Sequence, residues 1–150
     1  MISWSYLNKR SAAAKAIRDY DSMKFIVEHT DEDIRTAYHD LTSLGSPSVD
    51  GLPGAKNPQA AEEHVADGID EIDTMRERYR QAVEYMKWFQ PAWDALDDEE
   101  RYVLTAFFGS RYGDGAAESV GRHLNVERST AYRKKDHAID HLATLLYGRL

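Results

Sequence analysis

The chain has no cysteine among its 150 residues, so it can form neither a disulfide bond nor a thiolate–zinc site. No apolar run approaches the length that a membrane-spanning helix needs. The first residues also lack the charged start and apolar core of a secretory signal. We therefore expect an intracellular protein that does not enter a membrane.

Proline is also scarce, and three of the four prolines lie in residues 46–58, which read SPSVDGLPGAKNP and include two glycines. Such a stretch disfavours helix and strand, so it predicts a linker. Elsewhere apolar residues recur at helical spacing, and nothing alternates as a strand would. The sequence predicts an all-α fold, with an N-terminal helical region at 1–45, the linker at 46–58, a long helix at 59–90 and a C-terminal domain at 91–150.

The N-terminal region is predicted to form two helices that resemble a hairpin. The first runs from near Tyr6 to His29. Thr30 is the expected N-cap of the second, because the acidic Asp33 follows three residues later, and Gly45 ends this helix. The prediction therefore places a helix boundary at Thr30.

The long central helix is predicted to begin at Asn57 and Pro58, an N-cap followed by proline at the first helical position. Pro91 is expected to break it, so the helix runs to about Phe89. Its apolar residues repeat every seven positions, at Val65, Ile72, Tyr79 and Met86. Such a stripe fits either contact with the chain's own helices or a dimeric coiled coil, and the sequence leaves both open.

Residues 96–146 have the pattern of a helix-turn-helix preceded by a supporting helix. Asp97 and Glu100 form a capping box that begins the first of these three helices. The expected core of the three helices comprises Val120, Leu124, Val126, Ala131, Ala138 and Leu142.

Residues 118–126 predict a scaffold helix and its turn. Gly121 is expected to allow a close approach of the two helices, and Asn125 tolerates the left-handed backbone of a tight turn. A longer helix, rich in cations and hydroxyl groups, begins at Glu127. Its outer face is therefore free to enter a groove.

The chain is acidic overall, with 26 Asp and Glu against 19 Lys and Arg and a net charge of −7. Residues 115–150 reverse this balance, with six Lys and Arg against four Asp and Glu. Five of these cations lie between Arg122 and Lys135, with Glu127 as the one carboxylate among them. Because nucleic acid binding needs local positive charge, this strip is a candidate docking face. The alternative is an ordinary solvated helix face.

No sequence pattern typical of an enzyme or a metal site emerges. The four carboxylates at 97–100 are consecutive, so they point in different directions on a helix and are explained by capping. His137 and His141 have the spacing of two zinc ligands, but no third ligand is evident, which favours surface histidines. There is also no glycine-rich phosphate loop or nucleophile elbow, so the sequence predicts no enzymatic activity, no cofactor and no metal.

Residues 91–150 resemble the fourth region of the sigma-70 family, which recognises promoter elements. The shared positions are Leu96, Glu100, Val103, Thr130, Ala131, Ala138 and Leu142. A closer resemblance is to phage and prophage regulators of the ArpU and RinA type. The matching residues are Arg111-Tyr112, Leu124-Asn125-Val126, Ser129-Thr130, Tyr132-Arg133 and Ala138. The loop at 46–58 before a long helix is also similar to that group.

Two features depart from these families. The N-cap of the recognition helix, usually serine, is Glu127 here, which caps weakly and repels phosphate. No segment resembles the sigma region that binds the polymerase core and melts promoter DNA. A complete sigma factor is therefore not expected.

The resemblance implies a transcriptional regulator of phage or prophage genes that binds double-stranded DNA in the cytoplasm of a bacterial host. Its recognition helix would lie in the major groove. The expected base contacts are Ser129, Thr130 and Arg133. The expected phosphate contacts are Arg122, Arg128, Tyr132, Lys134 and Lys135. For Tyr132, a place at the edge of the core fits the sequence equally well.

Other functions fit the same three helices. One is a protein-interaction module that contacts RNA polymerase or another phage protein. Another is a small packaging subunit of a phage terminase, although the C-terminal position of the motif counts against it. DNA binding by one such unit is weak, so the DNA-binding interpretation implies two half-sites read by a homodimer, or help from polymerase.

Overall fold

The computed structural model of the protein describes residues 8–43, 58–109 and 114–149. Within them lie five α-helices and no strand, as expected for an all-α protein. The helices are α1 (Lys9–Ser43), α2 (Pro58–Asp94), α3 (Asp98–Phe108), α4 (Ala116–Leu124) and α5 (Arg128–Tyr147). The predictions for Tyr6, for Gly45, for the linker up to Asn57 and for Arg111-Tyr112 lie outside the described residues.

The chain forms two compact units, and both long helices contribute to each of them. The first unit combines the residues up to Ser22 with those from Tyr85 onward, and the second comprises Met23–Glu84. The units therefore divide within α1 and α2. None of the helices in the described ranges is both long and apolar enough to span a membrane.

Helix α1 is continuous for 35 residues, so the predicted boundary at Thr30 and the hairpin-like pair of helices are wrong. The Thr30 hydroxyl does not cap a helix, because it donates a hydrogen bond of 2.6 Å to the Ile26 carbonyl four residues earlier. The side chain is also buried. A threonine that returns its hydroxyl to the preceding turn is compatible with a helix interior, and this is the alternative to capping that the sequence pattern did not distinguish.

Helix α2 passes through Pro91 and ends at Asp94, so the predicted break at this proline is wrong. Proline has no N–H to donate to the preceding turn, which ordinarily disfavours a helix interior. Here the chain on both sides of Pro91 is buried in one core, through Phe89, Ala92 and Leu96. Burial of these apolar side chains favours one further helical turn, and the Ala95 N–H completes it by donating to the Pro91 carbonyl at 3.1 Å.

Phe89 lies at the centre of the first unit and is fully buried. The rings of Tyr20, Tyr85 and Trp93 surround it, with ring centroids 5.2–5.6 Å from its own. The surrounding core joins residues of α1, α2, α3 and α5. Its buried members include Ala13, Ala16, Ile17, Ala92, Leu96, Leu104, Ala138, Leu142 and Leu146.

Polar contacts fix the same unit at its edges. Arg10 of α1 forms a two-pronged ion pair with Asp140 of α5. Arg101 of α3 donates to the carbonyl oxygens of Leu96 at 2.8 Å, Asp94 at 3.3 Å and Trp93 at 3.4 Å. A helix end leaves carbonyl groups without partners, so this guanidinium caps the C-terminal end of α2.

Tyr85 donates its hydroxyl to the Ala16 carbonyl, and burial raises the pKa of this phenol above its ordinary value of 10.0. The folded protein holds the phenol proton more tightly than the unfolded chain does. The stabilisation that the protonated Tyr85 gives to the folded state is therefore complete below pH 10 and is lost as the pH rises above 10.

We expect Tyr85→Phe to lower the free energy of unfolding by about 1 kcal/mol at pH 7. We expect this difference from the parent to shrink between pH 10 and pH 11. Urea denaturation at both pH values measures it, and a constant difference would contradict the assignment.

In the second unit the two helices run antiparallel. Leu41 of α1 contacts Gly68 of α2. Tyr38, which comes earlier in α1, accepts a hydrogen bond of 2.6 Å from Arg76, which comes later in α2. A Cβ atom at Gly68 would overlap the Leu41 side chain, so this glycine lets the helices approach closely. Ile72 of the predicted seven-residue stripe is buried, whereas Val65 is 44% exposed. The stripe is thus covered within the chain over part of its length.

Candidate nucleic-acid interface

Asp97 caps α3 as predicted, since its carboxylate accepts a 2.7 Å hydrogen bond from the Glu100 N–H. The Asp98, Glu99 and Glu100 side chains lie in the first turn, where negative charge is favourable. The reciprocal half of the capping box does not form, because the Glu100 carboxylate lies 2.5 Å from Nδ1 of His141 on α5. Glu100 therefore joins α3 to α5.

The connection between α4 and α5 is a turn of three residues, Asn125 to Glu127. Asn125 has the left-handed backbone that was predicted, with φ 54° and ψ 50°. Its N–H and that of Val126 both donate to the Gly121 carbonyl, the latter at 3.0 Å. A Cβ atom at Gly121 would lie 3.0 Å from the Val126 carbonyl oxygen. The close approach at this glycine is therefore to the turn itself, and it sets the direction in which α5 leaves α4.

A small buried cluster holds α3, α4 and α5 together. Val103, Ala106, Val120 and Ala131 are buried in it, and Tyr102, Phe107, Leu124 and Val126 pack against it. Ala138 and Leu142 are buried further along α5, in the central core around Phe89. All six predicted core positions are thus buried or pack against a buried cluster.

The first two turns of α5 carry the predicted base-contacting residues. Ser129 and Arg133 are exposed, and Thr130 is half-buried. The spacing of four residues places Ser129 and Arg133 on the same face of the helix. None of the three side chains hydrogen-bonds or forms an ion pair with another residue in the described part of the chain. Their polar groups are therefore available to an outside molecule.

Arg122, Arg128 and Tyr132 are likewise exposed around this face. Tyr132 is 40% exposed and contacts Phe107, with their ring centroids 5.6 Å apart. The Arg128 guanidinium lies 5.8 Å from the Tyr132 ring centroid, and the proximity of the Tyr132 side chain raises the pKa of Arg128. Tyr132 thus lies at the edge of the cluster and still presents part of its ring to solvent, so both interpretations of this residue have a structural counterpart.

Lys134 and Lys135 differ from these residues because they have partners within the protein. Lys134 forms an ion pair with Glu99 of α3. The Lys135 ammonium lies 5.3 Å from the Tyr132 ring centroid and 5.6 Å from that of Phe107. It also lies 3.6 Å from Asp136. The local charge of these two lysines is therefore partly balanced before any ligand binds.

Three carboxylates also belong to this region. Glu127 occupies the N-cap position of α5, and its side chain makes no capping hydrogen bond. Asp136 is balanced by Lys135, and Asp140 by Arg10 of α1. These pairings reduce the repulsion that the carboxylates of α5 would exert on phosphate, while Glu127 has no ion-pair partner among the described residues.

His137 and His141 do not form part of a recognisable metal site. In the described ranges no group of three or more histidine and acidic residues is arranged to hold a metal ion. His141 is instead the partner of Glu100, and His137 is exposed.

The polar ties between α3 and α5, Glu99 with Lys134 and Glu100 with His141, were missed in the sequence. Their partners lie 35 and 41 residues apart, so no local spacing rule would find them. The stack of Tyr102 on His123, with ring centroids 4.0 Å apart, was missed for the same reason. The one signal in the sequence for these ion pairs was the presence of glutamates at the start of α3 and of cations on α5.

Among the described residues, the arrangement provides an exposed helix face that carries the unpartnered guanidinium of Arg133 and hydroxyl groups, with flanking cations that include the unpartnered Arg122, on a helix packed against α3 and α4. The chain matches no protein-family model, and comparison with curated proteins and with solved structures found no match either.

Proposed function

We propose that the protein is a sequence-specific double-stranded DNA-binding transcriptional regulator of the phage or prophage type. In this proposal the first turns of α5 lie in the major groove, and α4 lies across the DNA backbone. The single observation that carries the proposal is the unpartnered polar face of Ser129 and Arg133 on a helix held by a tight turn. This arrangement meets the two needs of base recognition, free hydrogen-bonding groups and a fixed orientation.

The contacts divide by their surroundings. Arg133 is the strongest candidate for a base contact, since a free guanidinium can pair with guanine through two hydrogen bonds. Ser129 and Thr130 are the further candidates for base edges. Arg122 and Arg128, at the end of α4 and the start of α5, suit phosphate contacts. Lys134 and Lys135 are the weaker phosphate candidates, because each must give up or share a partner within the protein.

Overall charge supports local rather than general attraction to DNA. The net charge of −7 repels phosphate away from the α5 face, so only a docked orientation is favourable. A single unit of this size binds DNA weakly, so the proposal includes two half-sites read by two copies, or a contact with polymerase.

The test begins with selection of a preferred site from a duplex pool with a randomised core, followed by fluorescence anisotropy on the selected duplex. We expect Arg133→Ala to weaken binding about 10- to 100-fold, because a bidentate guanine contact supplies about 1–3 kcal/mol of discrimination. We expect Lys134→Ala to weaken binding less and to lower the salt dependence by at most about one ion. Arg78→Ala is the matched control, since it removes an exposed arginine from α2 and should leave binding unchanged.

If Arg133→Ala and Lys134→Ala both bind like the parent across a salt titration, the assignment of α5 to the groove is wrong. A selection that yields no preferred sequence would contradict sequence-specific binding. Equal losses of DNA affinity for Arg133→Ala and Arg78→Ala would contradict it as well.

A protein-interaction function is the second candidate, and the exposed Tyr132 ring beside Arg128 favours it, because tyrosine and arginine are enriched where proteins bind one another. Co-purification of RNA polymerase, without salt-sensitive retention on DNA, would support this candidate over DNA binding.

A further inference from the structure

An open groove of about 680 Å³ lies between the two antiparallel helices of the second unit. Small and apolar residues form part of its lining, namely Ala37, Leu41, Gly68 and Met75. Carboxylates accompany them on both helices, namely Asp33, Asp40, Asp67 and Glu71. The groove thus combines apolar surface with negative charge on both of its walls.

The charge of this groove is only partly balanced within the described residues, where Asp40 lies 3.9 Å from the imidazole of His39 and the lining includes His64. In the described chain, Asp33, Asp67 and Glu71 have no ion-pair partner. Three carboxylates outside the groove do have partners in this unit: Asp73 pairs with Arg76, and Glu77 and Glu84 pair with Arg80. Hydrogen bonds from Arg80 and Gln81 lower the pKa of Glu77 to about 2. The described residues of Met23–Glu84 contain thirteen Asp and Glu against five Lys and Arg. The groove therefore lies in a strongly negative field that attracts cations.

This charge decides which occupants are favourable. Nucleic acid and the anionic surface of a membrane are repelled by unpaired carboxylates. A second copy of the chain would bring an equally acidic unit against this one, which is also repulsive. A protein segment that carries lysine and arginine beside apolar side chains is complementary to both the charge and the apolar lining.

The shape of the groove favours a helical segment. Its lining residues recur every three to four positions on α1 and α2, so the groove follows the helix axes for about 15 Å at 1.5 Å per residue. Its walls are helices whose backbone groups are already hydrogen-bonded internally, so they offer no edge to which an extended strand could pair. A helix satisfies its own backbone and presents side chains alone, and two facing helices present the ridges against which a third can pack.

We propose that this groove binds a basic amphipathic helix of a protein partner, whose apolar side chains contact Leu41 and Met75 and whose cations pair with Asp33, Asp67 and Glu71. The binding is separate from DNA recognition, because the groove lies in the second unit and the α5 face lies in the first. Binding of such a helix would give a function to the acidic second unit, which the proposed DNA binding does not explain.

The test uses the full chain and a fluorescein-labelled helical peptide of leucine and lysine, about 18 residues long so that it spans the groove. A peptide of the same composition with its leucines and lysines scrambled is the control for amphipathic shape. In anisotropy measurements at physiological salt, we expect the amphipathic peptide to bind at least about tenfold more tightly than the scrambled one. Equal binding of the two peptides, or no binding of the amphipathic one, would overturn the proposal.

The groove itself is tested by the triple variant Asp33→Asn, Asp67→Asn and Glu71→Gln. Its matched control is Asp31→Asn, Glu63→Gln and Asp70→Asn, which removes the same three charges from exposed positions of the same two helices that do not line the groove.

We expect the groove variant to bind the peptide about tenfold more weakly than the parent and the control variant to lose less than about twofold. Equal losses in the two variants would show attraction to net charge alone and would overturn the proposal. A parent dimer that the groove variant dissolves, detected by light scattering, would overturn it in favour of a second copy. Arg133→Ala should leave peptide binding unchanged, so failure here and failure of DNA binding are distinguishable.

Discussion

Replacing Phe89 with alanine is expected to lower the free energy of unfolding by about 3–5 kcal/mol, the usual cost of emptying a phenylalanine site in a core. The effect should fall at the upper end of this range because the side chain is fully buried and three aromatic rings surround it. Large rigid rings with centroids 5.2–5.6 Å from that of Phe89 cannot easily collapse into the space that the substitution leaves. Thermal unfolding followed by circular dichroism should show a midpoint about 10 °C lower.

Phe25→Ala is the matched control for this change. It removes the same side chain from α1 at a position that is 58% exposed, where the expected effect is within about 0.5 kcal/mol. If the two variants unfold at similar temperatures, the core of the first unit is not centred on Phe89. Phe89→Leu should recover most of the lost stability, since it restores most of the apolar volume.

Enlarging Ala131 to leucine is expected to cost about 1–3 kcal/mol and to abolish most of the proposed DNA binding. Ala131 has no exposed surface and lies in the cluster with Val120 of α4 and Val103 of α3. Three added carbon atoms must therefore displace α5 from its supporting helices. Because Arg133 follows two residues later, the guanidinium would move with the helix, and the DNA affinity should fall at least about tenfold.

The control for Ala131→Leu is Ala60→Leu, which adds the same atoms to an exposed position of α2. It should change neither the unfolding midpoint nor DNA affinity. A stable Ala131→Leu protein that still binds the selected duplex like the parent would contradict both the tight cluster and the assignment of α5. Loss of stability with unchanged affinity in the folded fraction would contradict the assignment of α5 alone.

Local rules predicted the parts of this fold that local interactions decide. Each of these parts depends on residues within one or two helical turns. They are the cap at Asp97, the left-handed backbone at Asn125, and the periodicity that places Val120 and Ala131 on the buried faces of their helices. Thr30 illustrates where such rules fail, because the same hydroxyl can cap a new helix or bond back into an existing one.

Pro91 shows the same limitation from another direction. A proline lowers helix propensity locally, but the burial of Ala92 and Leu96 on its far side depends on the tertiary core. The sequence showed the apolar residues without showing that they share one core with Phe89. Boundaries of helices were therefore less predictable than their existence.

For the candidate site, the sequence could identify the residue types and the exposed face, but not which cations are free. Arg133 and Lys134 are neighbours in the chain with similar charge, yet only Lys134 meets a carboxylate, that of Glu99. That pairing depends on how α3 lies against α5. The structure thus distinguishes a free guanidinium from a paired ammonium at two adjacent positions, which the sequence alone did not.

The first unit is assembled from both ends of the chain, with the whole second unit inserted between them. Ala13 and Ile17 of α1 share one core with Ala138 and Leu142 of α5. A gene fragment that encodes α3 to α5 alone would therefore leave apolar surface uncovered. Recombination can therefore transfer the α5 face with its complete core only if it transfers two separate stretches of the gene. The second unit, in contrast, is encoded by one continuous stretch.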